Sequence, residues 1–332
     1  MPVLWLPNAY FWLSIEQSMT ATPRTWTVDT THAGVRLDVF LTEAQQERTR
    51  SAVQKALKQG FVTVNGEATT VHRFLKAGDV IAWLEPVHTT HTTDPLPANL
   101  EPRIIKETDD WIVIDKPCGV LTHPSASSHE PTLVEWFLKH VPSASKVGED
   151  PIRPGIVHRL DREVSGLLVL AKNQATFDTL KKAFASRTVE KHYLAFVHGE
   201  ILVEEGDIKL AIARSTSKAR MAARPKEQEG KAAWTHYKVR ERFVGATLLD
   251  VEILSGRTHQ IRAHFHGIGH PIIGDTLYIR KQTDRNIKQP TRILLQSVHL
   301  AFTDPATGER ETFDLPADPA FASMSTALRT KT

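Results

Sequence analysis

Residues 167–171 read LLVLA, apolar at every position. A strand that faces water on one side alternates apolar with polar residues. An unbroken run bounded by Gly166 and Lys172 belongs instead to a strand covered on both faces. The chain must therefore build a sheet between two layers, and its 332 residues allow one large or two unequal domains with a sizeable core. The segment feeding this strand, GIVHRLDREVS, is charged, with Asp161 between Arg159 and Arg162. A carboxylate there either carries chemistry on a loop held by a rigid scaffold or ties that loop down by ion pairing. The residues alone leave both open.

Around this strand, residues 104–318 alternate strand-like runs with helices. WIVIDKP precedes it, the amphipathic QATFDTLKKAFA with Phe177, Leu180 and Phe184 on one stripe follows, and KHYLAFVHG, WTHYKV and ATLLDVEIL complete a mixed sheet. Residues 84–103, rich in Pro and Thr, predict an extended linker, taken as 88–103 at its narrowest. Before the linker, residues 26–87 hold a small unit that is clearest from GVRLDVFL to GDVIAW. It comprises a short amphipathic helix, a second helix SAVQKALKQG closing on Gly60, and FVTVNGEATTV turning at Asn65-Gly66. On the second helix Ala52, Val53, Ala56 and Leu57 share one side. Ser51, Lys55 and Lys58 stand at i, i+4 and i+7 on another, with Arg48 and Arg50 just before. That basic side is either a solvated helix face or a surface for nucleic-acid phosphates.

RLDVFL, TRSAVQKALKQGFVTVNG and LKAGDVIAW together resemble the S4 RNA-binding domain over about fifty residues. The resemblance implies that Arg50, Ser51, Lys55 and Lys58 face RNA phosphates. Downstream, DKPCGVLTHP, GIVHRLDREVSGLLVLAK, KHYLAFVHG and SGRTHQIRAHFHGIGHPIIGD, in this order, resemble the RluA-type pseudouridine synthase family, many of whose members carry an S4 domain upstream. KARMAARP and GKAAWTHYKV extend the likeness. It implies an α+β protein: a small S4 domain plus a large catalytic domain with a mixed, largely antiparallel central sheet flanked by helices.

The same resemblance implies an isomerase that converts uridine to pseudouridine in structured RNA, with Asp161 of HRLD as the catalytic aspartate. Such a reaction breaks the N1–C1′ bond, turns the uracil in place and joins C5 to C1′. A positioned carboxylate can serve it as nucleophile, base or stabiliser of the sugar intermediate. Tyr193 would stack on the base, and Arg262 would pair with Asp161. The target base must leave its stack, so His158, Arg159 and Lys191 are candidates for holding the flanking backbone. Val164 stands where many members have Thr, and Ile279 follows Tyr278 where Gly is common. Both departures bear on subfamily and target. By analogy the target is large-subunit ribosomal RNA first and transfer RNA second; the competing class is a non-catalytic RNA-binding or ribosome-assembly protein on the same fold.

No metal, redox or nucleotide cofactor is expected, since the chain has no GxGxxG, GxxxxGK[ST] or HExxH. The run HQIRAHFHGIGHP, as a helix capped by Thr258 and ended at Gly267, puts His259, Arg262 and His266 on one side and His264 elsewhere, so no three-ligand set forms. A metal-dependent RNA phosphodiesterase is accordingly a minor alternative. Forty-one Lys and Arg against 38 Asp and Glu leave a net charge of +3, so contacts to RNA must come from local clusters. Cys118 is the single cysteine, which excludes an internal disulfide and fits a cytoplasmic protein. The opening MPVLWLPNAYFWLSIEQSM has no basic residue before its apolar stretch and carries Pro7 and Glu16, so neither a signal peptide nor a membrane span fits. Residues 1–25 are expected to be a loose or mis-started extension, with Met19 as the alternative start, and 319–332 a polar tail. A monomer is expected.

Overall fold

The computed structural model of the protein describes residues 23–45, 50–58, 60–84, 96–124, 130–215, 220–225, 229–280, 287 and 289–329. Two compact units divide the chain at residue 92.

The first unit contains β1 (Arg24–Thr27), α1 (Leu37–Ala44), α2 (Arg50–Lys58), β2 (Val62–Val64), β3 (Glu67–Ala68) and β4 (Val80–Trp83). Its four strands form one antiparallel sheet in the order β1-β4-β2-β3. The Asn65-Gly66 turn forms as the sequence expects, with φ of 56° and 81°, the conformation a two-residue hairpin demands. Leu37 and Leu41 of α1 meet Val53, Ala56 and Leu57 of α2 over Val62, Ile81 and Trp83. β1 starts at Arg24, so the folded unit begins slightly before residue 26; residues 1–22 lie outside the described residues.

The second unit is built on a nine-stranded sheet. In chain order its elements are β5 (Arg103–Glu107), β6 (Trp111–Lys116), α3 (Leu133–His140), β7 (Ser165–Ala171), α4 (Gln174–Ser186), β8 (Glu190–His198), β9 (Glu205–Ile208), β10 (Ala211–Arg214), β11 (Met221–Arg224), β12 (Thr235–Phe243), β13 (Ala246–Ile253), α5 (Gln260–Ile268), β14 (Leu295–Thr303), β15 (Arg310–Asp314) and α6 (Pro319–Arg329). The strand path is β5-β6-β7-β14-β8-β13-β12-β9, with β15 beside the far end of β14, and β10-β11 forms a separate ribbon. Among the described strands β7 and β14 pair in parallel and the others antiparallel; the protein is α+β with a mixed, largely antiparallel sheet.

The continuous apolar run has the expected cause. Leu168 and Leu170 of β7 pack with Leu133 and Phe137 of α3 on one face, while Leu167 and Val169 pack with Leu180 of α4 on the other. α5 adds Ile261 and Phe265 to the first face. Gly166 is needed where β7 meets β14. Its φ is +115°, and a Cβ there would lie 2.0 Å from the Ser297 carbonyl oxygen.

Two stretches depart from the sequence expectations. Residues 319–329 are a helix, α6, because Phe321, Met324 and Leu328 recur at helical spacing and pack onto Phe196 and Leu248. Burying each of those side chains is worth roughly 1.5–3 kcal/mol, so the segment does not remain a loose tail. Leu96, expected in the linker, packs into the second unit's core; residues 85–95 lie outside the described residues.

Candidate active site

Asp161 lies in the irregular segment between the bridge at Ile156 and the start of β7. The turn carrying it is closed by Val164 N–H donating to the Asp161 carbonyl at 3.1 Å. Segment 116–122 clamps this turn from one side. Gly119 N–H donates to the Arg162 carbonyl at 2.8 Å, Thr122 Oγ1 to the Leu160 carbonyl at 2.8 Å, and Cys118 Sγ to the Glu163 carbonyl at 3.0 Å. Lys116, fully buried at the end of β6, donates to the carbonyls of Pro117 and Val120 at 2.9 Å each and of Arg162 at 3.3 Å. Burial pushes its pKa down to about 8, with the nearby Asp161 among the charges acting the other way. The DKPCGV segment thus holds the aspartate's turn by hydrogen bonds.

Arg262 projects from the first turn of α5 and is 2% exposed. Its Nε and Nη2 donate to Asp275 Oδ2 and Oδ1 at 2.7 and 3.0 Å, the fork-to-carboxylate geometry that fixes a guanidinium in plane. Nη1 is left pointing at Asp161 Oδ2, 3.3 Å away, and at Glu163 Oε2, 3.1 Å away. Burial works against the charge of Arg262, yet the bonds to Asp275 and the neighbouring carboxylates hold its pKa above the ordinary value. Burial alone would raise the Asp275 carboxyl; the Arg262 bonds outweigh it and keep that group below its usual range. Asp275 also accepts from the backbone N–H groups of Leu277 and Tyr278, and Gly274 before it has φ +79°. The spacing of Asp161, Arg262 and Asp275 along the chain gives no hint of this triad, although IIGD was part of the motif.

Tyr193 comes from β8, 6% exposed, and lines one cleft with Asp161, Arg159, Val164, Leu295 and Ile253. Burial, reinforced by the negative charge of Asp161, pushes its hydroxyl pKa well above the ordinary tyrosine value, while a hydrogen bond with Ser297 works against this. The phenol therefore stays protonated and able to donate at neutral pH. Beside it opens a cavity of about 340 Å³ lined by Lys191, Arg153, Arg159 and Phe184. His259 caps α5 in the left-handed region, φ 53°, a costly conformation for a non-glycine residue. Its Nδ1 is 3.1 Å from the Tyr278 hydroxyl and its Nε2 is 3.9 Å from Asp161 Oδ2.

The pattern of the RNA pseudouridylate synthase family matches residues 110–267, and that of the S4 domain matches residues 35–81. An RNA pseudouridine synthase of Aquifex aeolicus is 38% identical over 306 residues, covering 87% of this chain and 92% of that protein. A ribosomal large subunit pseudouridine synthase D of Nitrosomonas europaea is 37% identical, covering 91% and 87%. The chain belongs to the RluA-type RNA pseudouridine synthase family. Its fold is shared with the solved human RNA pseudouridylate synthase domain containing 1, at a TM-score of 0.53 and 24% identity, over 71% of this chain and 97% of that one.

As a pseudouridine synthase the protein isomerises uridine within RNA, and its sequence-derived residues can be placed one by one. Asp161, Tyr193 and Arg262 converge on one cleft. Arg159 is exposed at its rim, with Nη1 3.2 Å from His123 Nε2. Lys191 is buried instead of loop-borne. Its Nζ sits 5.1 Å from the Phe184 ring centre, and burial lowers its pKa to about 8. His158 departs from the expectation of a cation for RNA. Its Nε2 accepts the Val169 N–H at 3.0 Å, its ring stacks on Phe184 at 4.5 Å, and burial lowers its pKa to about 3, so it is neutral and structural.

In the S4 unit of this synthase, Arg50 is half exposed and also has a partner within the unit. Its Nε donates to the buried Asp38 at 3.0 Å, alongside Arg36 and Gln54, so it ties α2 to α1. Lys58 is exposed; the side chains of Ser51 and Lys55 lie outside the described residues. The histidine run forms no ligand set among the described residues. The cap of α5 falls one residue after the expected Thr258, at His259, and the helix runs past Gly267 to Ile268. His264 uses both ring nitrogens, on Thr235 Oγ1 and the Leu210 carbonyl at 2.9 Å each, and His270 is engaged by the His198 carbonyl. No helix among the described residues is long and apolar enough to cross a membrane.

Proposed function

We propose that this synthase modifies uridine in large-subunit ribosomal RNA in the cytoplasm, with Asp161 as the group that acts at C1′ of the flipped nucleotide. The observation that carries the role of Asp161 is its position. It is the carboxylate of the cleft, 15% exposed, 3.3 Å from a guanidinium that is itself clamped by Asp275. Arg262 orients that carboxylate and balances its charge without being free to swing toward the substrate. Tyr193 provides a flat, protonated phenol in the same cleft to hold uracil while it is detached and turned. The isomerisation needs only that the N1–C1′ bond break, C5 join C1′, and the proton at C5 be removed while N1 gains one. No oxidant or external group enters.

Arg159 at the rim and Lys191 in the adjoining cavity are suited to the phosphates flanking the flipped base, with Lys55, Lys58 and Ser51 of the S4 unit extending the contact along the RNA backbone. The choice of ribosomal RNA is supported by the names of relatives such as those from Nitrosomonas europaea and Vibrio cholerae, both ribosomal large subunit pseudouridine synthase D. The test is a pseudouridine map of total RNA from cells lacking the gene, complemented with wild type or Asp161→Asn. Specific large-subunit positions should vanish and return only with wild type. Loss confined to transfer RNA would overturn the target, and restoration by Asp161→Asn would overturn the role of the aspartate.

A further inference from the structure

We propose that Glu190, His192 and His299 form a binding site for a divalent metal of the zinc class, on the face of the sheet away from the Tyr193 cleft. Alternation along β8 puts Glu190 and His192 together on one side, with Leu194 and Phe196, and Lys191 and Tyr193 on the other. Antiparallel pairing then brings His299 of β14 directly opposite His192. One ligand atom from each of the three residues lies within 4.8 Å of the other two.

Within this set, His299 Nε2 and Glu190 Oε2 are 3.8 Å apart. Two ligands each about 2.1 Å from zinc at a tetrahedral angle stand roughly 3.4 Å apart, so small side-chain rotations close the set. Two imidazoles and a carboxylate with an open fourth position suit zinc, and also nickel or copper, better than magnesium or calcium. The outer contacts are those a metal site needs. Asp314 Oδ1 lies 2.7 Å from His299 Nδ1, which fixes the tautomer that leaves Nε2 available. Arg310 occupies Glu190 Oε1, leaving Oε2 to bind.

A plain ion pair of a protonated His299 between two carboxylates would account for His299 alone. It does not account for His192. That ring is half-buried, its centre 5.0 Å from that of His299 in an edge-on arrangement, and it has no hydrogen-bond partner among the described residues. A metal shared by the two imidazoles would use a ring nitrogen of His192 that no side chain or backbone group among the described residues occupies. The site also spans the irregularity in the β8–β14 pairing between Ser297 and His299, where Ser297 faces Tyr193. A bound ion would therefore staple the two strands next to the tyrosine's own register pair.

The experiment titrates metal-stripped full-length protein with Zn²⁺ by calorimetry and with Co²⁺ by visible absorption, comparing wild type with His192→Gln, His299→Gln and Asp314→Asn. His192→Gln removes no existing hydrogen bond and is the variant expected to fold unchanged. Wild type should bind one equivalent of Zn²⁺, give a Co²⁺ spectrum with nitrogen ligation, and unfold at a higher temperature with Zn²⁺. His192→Gln and His299→Gln should lose that equivalent, and Asp314→Asn should bind about 10–100-fold more weakly. Pseudouridine formation by the variants without metal should match wild type, since none of these residues lines the cleft. Absence of Zn²⁺ binding by wild type, or an equivalent retained unchanged in His192→Gln, would overturn the site and leave His299 an ion-paired side chain.

Discussion

Replacing Asp275 by Asn tests the support on which the candidate active site rests. Arg262 is 2% exposed and Asp275 8% exposed, and two charge-assisted bonds of 2.7 and 3.0 Å join them. Asparagine can keep one acceptor but loses the second bond and the negative charge. A hydrogen bond to a charged group contributes about 1.5–3 kcal/mol, and removing one partner of a buried ion pair outright costs about 3–5 kcal/mol. The substitution should therefore destabilise the second unit by about 2–4 kcal/mol. At roughly 2–4 °C per kcal/mol for a unit of this size, its unfolding transition should fall by about 4–16 °C.

The freed guanidinium has Asp161 and Glu163 within 3.3 Å, so it should turn toward them and draw the Asp161 carboxylate out of line. A misplacement of about 1 Å can cost about 10²-fold in rate. Pseudouridine formation on transcribed RNA, measured well below the new transition, should show kcat lowered by about 10–100-fold with RNA affinity little changed. Asp275→Glu should recover part of both losses. An unfolding temperature within a degree of wild type together with full kcat would refute the idea that Asp275 holds Arg262 and Arg262 holds Asp161.

Tyr193→Phe keeps the ring in its core position and should slow product formation without lowering the unfolding temperature by more than a few degrees, as read by single-turnover kinetics and thermal melts. His158→Leu removes the acceptor of the Val169 N–H and should cost about 1–3 kcal/mol in denaturant unfolding while leaving the salt dependence of RNA binding unchanged. Lys191 titrates at about 8 in the free protein because burial disfavours its charge, Glu252 offsetting part of this. A phosphate beside it raises that pKa, so the affinity for RNA should be flat below pH 8. Above pH 8 it should fall by up to about tenfold per unit, a decline that Lys191→Met should abolish. Lys55→Ala with Lys58→Ala should reduce the salt slope of RNA binding by about one to two; an unchanged slope would return α2 to a solvated face.

Much of the fold was legible because its signals are local. The Asn65-Gly66 turn, the apolar stripe of QATFDTLKKAFA and the unbroken LLVLA each follow from the conformations open to a few neighbouring residues. α6 was missed for a related reason. Its three large apolar residues are spread among small and polar ones, and only the presence of Phe196 and Leu248 beneath it makes those three decisive. His158 was misread because a basic residue type predicts a capability, whereas the partner decides its use. The Val169 N–H takes the His158 ring nitrogen.

The sequence by itself determined the two units, the buried central strand and the family, and it singled out Asp161, Tyr193 and Arg262 as candidates, because composition, spacing and motif order are properties of the chain. Only the tertiary structure decided that Lys116 and Asp275 hold the site, that Arg262 presents a single nitrogen to Asp161, and that His192 lies against His299. Those contacts join residues as many as 107 positions apart through strand pairing and helix packing. No local pattern carries such information, since a buried charge is positioned by whichever carbonyls and carboxylates the finished core leaves beside it.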